Sequence, residues 1–456
     1  MASPRILLKC PSRSRPAQLL TTLQQYLNMA ARPGSIGVVV SCDVDDVTMT
    51  GDDIQQRLFA VLSRFEWNAV YFGANTTKIE ACNADIGKVD YPWDIVVLVS
   101  DDMIPEVRGY DEFIRRAMTP DRDCILWFND GFQGTRLNTL SIYGRTMYEH
   151  LGSMYAPEYK SFYCDTELTD LCKTTLRSKT VYNPTCIIRH RHPSLGYRVA
   201  VDSLYVRNNK YMEEDLRTYI SRKSYEFDLS ILIPTLHERR TQCERLKTSL
   251  RERFARICPG LRLEIAEALD NREMSVGLKR RNLLADAKGK YTAFIDDDDD
   301  ITDAYFEDFL TCFTEGKDVM RIRGQMDEHT FTHSIDVPLS GKLYVDGVFV
   351  RPPNHLNPML ADIAKLISFA DATRGEDLKW TIDLAKTGFL RTEAQSDPSR
   401  IHYIYNIKGR PVPAYAIEYQ KTHTYEEWIK ILLMPAKKPE ARTGGLRLTS
   451  RGFVSK

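Results

Sequence analysis

The sequence predicts two tandem α/β domains, each built on a mixed, mainly parallel sheet. Short apolar segments rich in β-branched residues alternate with helical patterns along the chain. A set of four features recurs in the same order in both halves. A length of 456 residues suits two or three domains of roughly 100–200 residues each.

The buried-strand candidates are residues 6–8, 36–40, 95–99, 229–234 and 291–295. Helical patterns lie at 18–29, 242–255 and 276–287. Each half opens with a strand that ends in a Pro-Ser/Thr-x-x-x-Arg turn. The first turn is Pro11-Ser12-Arg13-Ser14-Arg15-Pro16, and the second is Pro234-Thr235-Leu236-His237-Glu238-Arg239. A basic segment closing on Asn follows, Lys78 to Asn83 in one half and Lys279-Arg280-Arg281-Asn282 in the other. Next comes an apolar strand running into acids, Asp101-Asp102 or Asp296 to Asp300. An isolated acidic pair completes each set, Asp165-Thr166-Glu167 or Glu376-Asp377. The domains are expected at 1–215 and 226–435, with the boundary in the charged segment around 208–227 and a basic, Gly-rich tail at 436–456.

Lys plus Arg and Asp plus Glu both total 62, so the whole chain exerts no net pull on nucleic acid or membrane. Ten cysteines occur with no CxxC pair, which argues against a zinc ribbon or a dithiol redox motif and for buried thiols in a reducing compartment. No apolar run approaches the ~20 residues a membrane span needs, and the N-terminus lacks an apolar signal core. The expectation is a soluble, cytoplasmic protein, in the host cytoplasm if the source is viral.

A strand that ends in carboxylates delivers them to the carboxyl edge of a parallel sheet, where open α/β sheets bind ligands. Adjacent carboxylates repel unless a cation neutralises them, and oxygen ligands favour hard Mg2+ or Mn2+. Such an ion bridges the phosphates of a nucleotide sugar and stabilises the departing diphosphate. The bland alternative is an acidic loop capping a helix near Thr302. The strand just before the acids, and the basic helix before that strand, weigh against it. Glu376 and Asp377 offer a carboxylate to deprotonate an acceptor hydroxyl, and Trp380 would wall its pocket. Their bland reading is acids in the first turn of a helix.

With these motifs, residues 229–420 resemble family 2 glycosyltransferases of the GT-A fold, a Rossmann-like nucleotide-diphospho-sugar transferase architecture. The resemblance implies that Pro234 and Thr235 line the nucleotide pocket and that Asp270 recognises the nucleobase, usually uracil. It places Lys279, Arg280, Asn282 and Asp297 among the donor contacts. Asp296 and Asp298 become the DXD metal pair, and Asp377 the base, with Glu376 beside it. It would also put His402 where some such enzymes hold a late metal or phosphate ligand, although the residue by itself reads as a core histidine. This half carries the clearer signature.

Residues 5–208 resemble glycosyltransferase-like domains of phages and bacteria. That resemblance puts Pro11, Arg13, Lys78 and Asn83 at the donor, with Asp43, Asp45 and Asp46 near the base. Asp102, with Asp101 beside it, would hold the metal, His190 and His192 would complete its shell, and Asp165 or Glu167 would be the base. The acidic cluster here is thinner than a standard DXD, and Trp127 to Phe132 offers an aromatic acceptor wall instead.

Taken together, the resemblance implies a metal-dependent, inverting transfer from a UDP-sugar to a glycan or glycolipid. DNA with hydroxymethylated pyrimidines is an alternative acceptor; the basic tail, Arg13, Arg15, Arg280 and Arg281 favour it, and the zero net charge opposes it. A sugar-nucleotide nucleotidyltransferase would want glycine in the first turn, which Pro11 to Arg15 lacks. A non-catalytic sugar-binding module is a further alternative.

Overall fold

The computed structural model describes residues 3–191, 203–406, 418, 420–424 and 427. His192 and the 436–456 tail lie outside the described residues. The chain divides into two compact units, Met1–Lys223 and Ser224–Lys456.

The first unit contains β1 (Ile6–Pro11), β2 (Ile36–Asp43), β3 (Trp67–Gly73), β4 (Ile95–Leu98), β5 (Met103–Pro105), β6 (Ile125–Phe128), β7 (Ile142–Gly144), β8 (Thr180–Asn183) and β9 (Ile188–His190). Seven of these strands form a sheet in the order β3-β2-β1-β4-β7-β6-β8. β1 pairs in parallel with β2 and β4, and β2 with β3, while β7 runs antiparallel to β4 and β6. Ile6, Leu8 and Cys10 of β1 pack with Leu19, Leu23 and Tyr26 of helix Pro16–Met29, which starts on a proline. Lys9 points to the opposite face by strand alternation. It is fully buried and donates to the Ser41 hydroxyl, which donates to Asp85 at 2.5 Å. Burial brings its ammonium down to about 8.

The second unit holds β10 (Phe227–Leu236), β11 (Leu263–Asp270), β12 (Gly289–Phe294), β13 (Asp300–Ile301), β14 (Val319–Met320), β15 (Ile322–Met326), β16 (His329–His333), β17 (Tyr344–Val345), β18 (Val348–Arg351), β19 (Met359–Leu360), β20 (Glu393–Ala394) and β21 (Tyr403–Tyr405). The main sheet runs β11-β10-β12-β19-β14-β20, with β10 parallel to both neighbours and β19 antiparallel to β12. A second sheet runs β13-β21-β15-β16-β18-β17. Helices Arg240–Ile257 and Val276–Asp286 pack on the main sheet. Ser275 caps the second of them by accepting from the Leu278 N–H at 3.0 Å. Gly277 sits against the Ala370 carbonyl so closely that a Cβ there would lie 2.0 Å from the oxygen.

All ten cysteines are free; nine are buried and Cys186 is partly exposed. No helix among the described residues is long and apolar enough to cross a membrane.

His333 is buried on β16, with Nδ1 3.1 Å from the Asn357 amide oxygen. Burial, with Arg351 nearby, brings its pKa down to about 3. The fold therefore favours the neutral ring. Its contribution is full above the ordinary histidine value and is lost as pH falls from 6.5 toward 3. Thermal unfolding at pH 7, 6, 5 and 4 should show the second unit of His333→Gln losing less stability on acidification than wild type. Identical pH slopes would remove His333 as a cause.

Candidate functional site

In the first unit the carboxyl ends of β1, β2 and β4 deliver Pro11 and Ser12, Asp43, and Asp101 and Asp102 to one edge of the sheet. A cavity of about 370 Å³ opens there. Of the residues singled out in the sequence, Pro11, Arg13, Arg15, Asp43, Lys78, Asp101, Asp102, Asp165 and His190 line it.

His190 reaches this edge because β5 and β9 pair antiparallel with Met103 opposite His190. Its Nε2 lies 3.5 Å from the Asp102 carboxylate, which also accepts from the Ser100 hydroxyl. Burial alone would push the Asp102 carboxyl up. His190, Ser100 and the Lys78 ammonium outweigh it and hold Asp102 well below the usual carboxylate range. Lys78 is exposed to solvent at the cavity. Desolvation opposes its charge, but Asp165, Asp102 and two neighbouring thiols raise its pKa overall. Asp165 moves the other way: burial raises its carboxyl despite Lys78 and a 2.9 Å bond from the Thr166 N–H. The two carboxyls of this cavity are thus shifted in opposite directions, Asp102 down and Asp165 up.

The turn after β1 is fixed by its arginines. Arg13 forks to Asp43 at 2.6 Å and to Asp45 at 2.6 and 2.8 Å, and Arg15 holds Asp101 at 3.0 Å. Asp45 is itself solvent-exposed and serves to anchor Arg13. Three expectations for this half are corrected. Asn83 does not line the cavity; its amide donates to the Tyr155 carbonyl at 2.8 Å and accepts from the Tyr155 N–H at 3.0 Å. Glu167 pairs with Arg222 at 3.0 Å and is also outside the cavity lining, which leaves Asp165 as the candidate base. Trp127 is buried on β6, edge-on to Tyr182, and the cavity receives Asp130 and Gln133 of that segment instead. Asp130 was not legible beforehand. It accepts from the Phe132 and Gln133 N–H groups and from Thr139, an Asx-turn that the Asn129-Asp130-Gly131 run signals as a turn but not as part of a cavity.

In the second unit the acids follow β12, and each has a partner. Arg280 is buried and donates to Asp296 at 2.9 Å and to Glu376 at 2.7 Å. Asp297 accepts from Thr235 at 2.7 Å and from Arg239 at 2.8 Å, and the same guanidinium reaches Asp298 at 3.2 Å. Asp299 accepts from Tyr403 at 2.7 Å and from the Asn406 N–H at 2.8 Å. Lys279 donates to the Thr235 carbonyl at 2.6 Å and pairs with Asp270. Asp270 also accepts from the Arg272 and Met274 N–H groups, so its carboxylate holds this loop and Lys279 in place. Pro234 is partly exposed at the end of β10.

Lys279 and Arg280 therefore face carboxylates of their own unit rather than an open cleft, which corrects the reading that aims them at a diphosphate. Asn282 is exposed and makes no side-chain hydrogen bond among the described residues. Asp377 is partly exposed in the first turn of helix Glu376–Thr387. Glu376 beside it is raised by burial, which outweighs Arg280. Trp380 is a core residue, not an acceptor wall: it stacks on Phe369 at 4.8 Å and donates to the Ile367 carbonyl at 2.9 Å. His402 is likewise structural. It is fully buried, bonded to Asp308 at 2.7 Å, and its Nδ1 accepts from the Arg323 N–H at 2.8 Å.

Among the described residues no three His, Cys, Asp or Glu side chains converge into a complete metal cage. What the first unit offers is a pair, Asp102 with His190, whereas Asp296 and Asp298 of the second unit are each engaged by an arginine. Oxygen and imidazole donors of this kind fit Mg2+ or Mn2+, which commonly fill their remaining positions with phosphate oxygens and water.

No protein-family profile matches the sequence, and no curated protein matches it. Solved structures of related shape include a mannosyltransferase from Pyrobaculum calidifontis in complex with GDP-Man and Mn2+, at 13% identity and TM-score 0.39, covering 49% of this chain and 66% of that one. Glucosyl-3-phosphoglycerate synthase from Mycobacterium tuberculosis, in complex with Mn2+, UDP and phosphoglyceric acid, matches at 13% identity and TM-score 0.33, covering 47% and 78%. S. aureus TarS 1-349 in complex with UDP matches at 14% and 0.27, covering 39% and 60%. The chain spans just under two thirds of the first of these proteins.

Arg280 is the electrostatic pin of the second unit. Removing one partner of a buried ionic network costs about 3–5 kcal/mol, because the remaining charges stay desolvated. Arg280→Met should lower the unfolding free energy of the second unit, read from its urea transition, by an amount of that order, with a lower midpoint. An unchanged midpoint would show that the network is dispensable.

Proposed function

We propose that the chain is a metal-dependent glycosyltransferase with two GT-A-like units, moving a sugar from a nucleotide-diphosphate sugar to an acceptor hydroxyl. The observation that carries this reading is the first unit's cavity. There a lysine ammonium, an ionised carboxylate beside a histidine, and a second carboxyl of raised proton affinity meet at the carboxyl edge of a parallel sheet. A UDP-sugar donor and a glycan or glycolipid acceptor are the pairing that the sequence resemblance favours.

Asp102 and His190 would hold Mn2+ or Mg2+. When bound, that ion supplies Lewis-acid stabilisation of the departing diphosphate. Lys78 faces the phosphates and adds a fixed positive charge. Asp165 takes the proton from the acceptor hydroxyl as its oxygen attacks the anomeric carbon and the bond to the diphosphate oxygen breaks. A raised pKa suits that task, since a base works best with a proton affinity near the working pH. One displacement of this kind inverts the anomeric centre. In the second unit Asp296 and Asp298 are the corresponding metal acids, and Asp377 the corresponding base.

Calorimetry of the whole chain with UDP-sugars and GDP-sugars plus Mn2+ tests the reading. Lys78→Ala should weaken one binding event about tenfold or more, a loss of about 1.4 kcal/mol per factor of ten. Asp102→Ala should remove its Mn2+ dependence, and Asp298→Ala should act on the second event alone. Asp165→Asn should spare donor binding while abolishing transfer by the first unit. A chain that binds no nucleotide sugar would overturn the assignment.

A further inference from the structure

The turn that brings Asp165 to the first unit's cavity holds a strained residue. Tyr163 has φ 61° and ψ −8°, the left-handed conformation, immediately before helix Cys164–Lys173. Glycine, asparagine and aspartate enter that region at little cost. A bulky side chain is an outlier there and persists only where its surroundings over-determine it. The Tyr163 carbonyl accepts from the Glu167 N–H at 2.9 Å, so the strained residue starts the helix and sets its direction. Cys164 and Asp165 follow at once, and both line the cavity.

One face of helix Met212–Arg222 over-determines this turn. Asp215, Tyr219 and Arg222 recur on it at i, i+4 and i+7. Asp215 is fully buried, and its carboxylate accepts from the N–H groups of Lys160 at 2.8 Å and of Ser161 and Phe162 at 2.7 Å. The Tyr219 ring stacks on Tyr163 with centroids 5.6 Å apart, and its hydroxyl donates to Asp170 at 2.5 Å. Arg222 pairs with Glu167 at 3.0 Å and with Glu158 at 2.7 Å. The face therefore grips the chain before the turn, the strained residue itself and the helix after it. The Lys160 carbonyl also accepts from the Ile79 N–H at 3.2 Å, which ties the residue next to Lys78 to the same loop. Packing alone does not call for this arrangement. Leu216 and Ile220 bury the helix's apolar side chains, whereas a buried carboxylate costs desolvation that an apolar residue would avoid.

We propose that Asp215 and Tyr219 are positioning residues, through which helix Met212–Arg222 holds Tyr163 in its left-handed turn and so sets where the Asp165 carboxyl meets a ligand. The consequence for catalysis rests on the base role given to Asp165 above; the brace itself does not.

Two measurements on the full chain test this. The first is backbone amide exchange. Asp215→Asn and Tyr219→Leu should each speed exchange at residues 160–162 and at Glu167 tenfold or more, while β1 and β2 keep wild-type protection. The second is steady-state release of nucleoside diphosphate from UDP-glucose or GDP-mannose with Mn2+ and water as the acceptor, in an Asp298→Ala background that silences the second unit under the same reading. Both substitutions should lower kcat tenfold or more with the donor KM within twofold of its starting value. Tyr219→Phe, which keeps the ring and loses only the hydroxyl, should restore most of kcat. Unchanged exchange at 160–167, or protection lost evenly across the first unit, would overturn the brace. Faster local exchange with an unchanged kcat would overturn the positioning role. Faster local exchange in a chain that consumes no nucleotide sugar would keep the brace and remove the base role of Asp165.

Discussion

Everything at the two sheet edges follows from the cost of holding carboxylates close together away from bulk water. Strand geometry brings them there, and each must then find a positive or hydrogen-bonding partner. The second unit solves this internally: Arg280 sits between Asp296 and Glu376, and Arg239 between Asp297 and Asp298. The first unit solves it only in part. Arg15 holds Asp101, but Asp102 relies on His190, Ser100 and the charge of Lys78. Both edges border a cavity, and the second unit's acids are the more heavily paired with arginine.

That difference reverses the emphasis that the motifs suggest. The five-aspartate run is the louder signal in the sequence, yet its acids are tied to arginines, while the thinner cluster of the first unit meets a lysine and a histidine at its cavity. A run of acids announces charge density. It does not announce how many arginines fold back on it.

Much of the architecture was legible. The largely apolar runs of β1, β2 and β10 and the helices after them are where periodicity puts them, because strands buried on both faces are mostly apolar. Helix Pro16–Met29 begins at the proline that marks it. Side-chain direction was not legible. Asn83 and Glu167 occupy the positions the motifs predict but turn toward Tyr155 and Arg222. Trp380 is an exposed-looking aromatic in a charged segment, and only the stack on Phe369 reveals it as core. Asp130 sits in a turn that Asn129-Asp130-Gly131 signals, but its place at the cavity depends on the fold around it rather than on that turn. Pairing across long sequence distances, such as β5 with β9, decides these matters and leaves no local trace.

The burial of nearly every thiol has a practical side. Cys186 alone is partly open, and it stands two residues before the strand that carries His190 to the cavity. A maleimide fluorophore should therefore enter the native chain at one place without any engineered cysteine. Attached there, the dye would sit close enough to the cavity for its emission to change as the cavity fills.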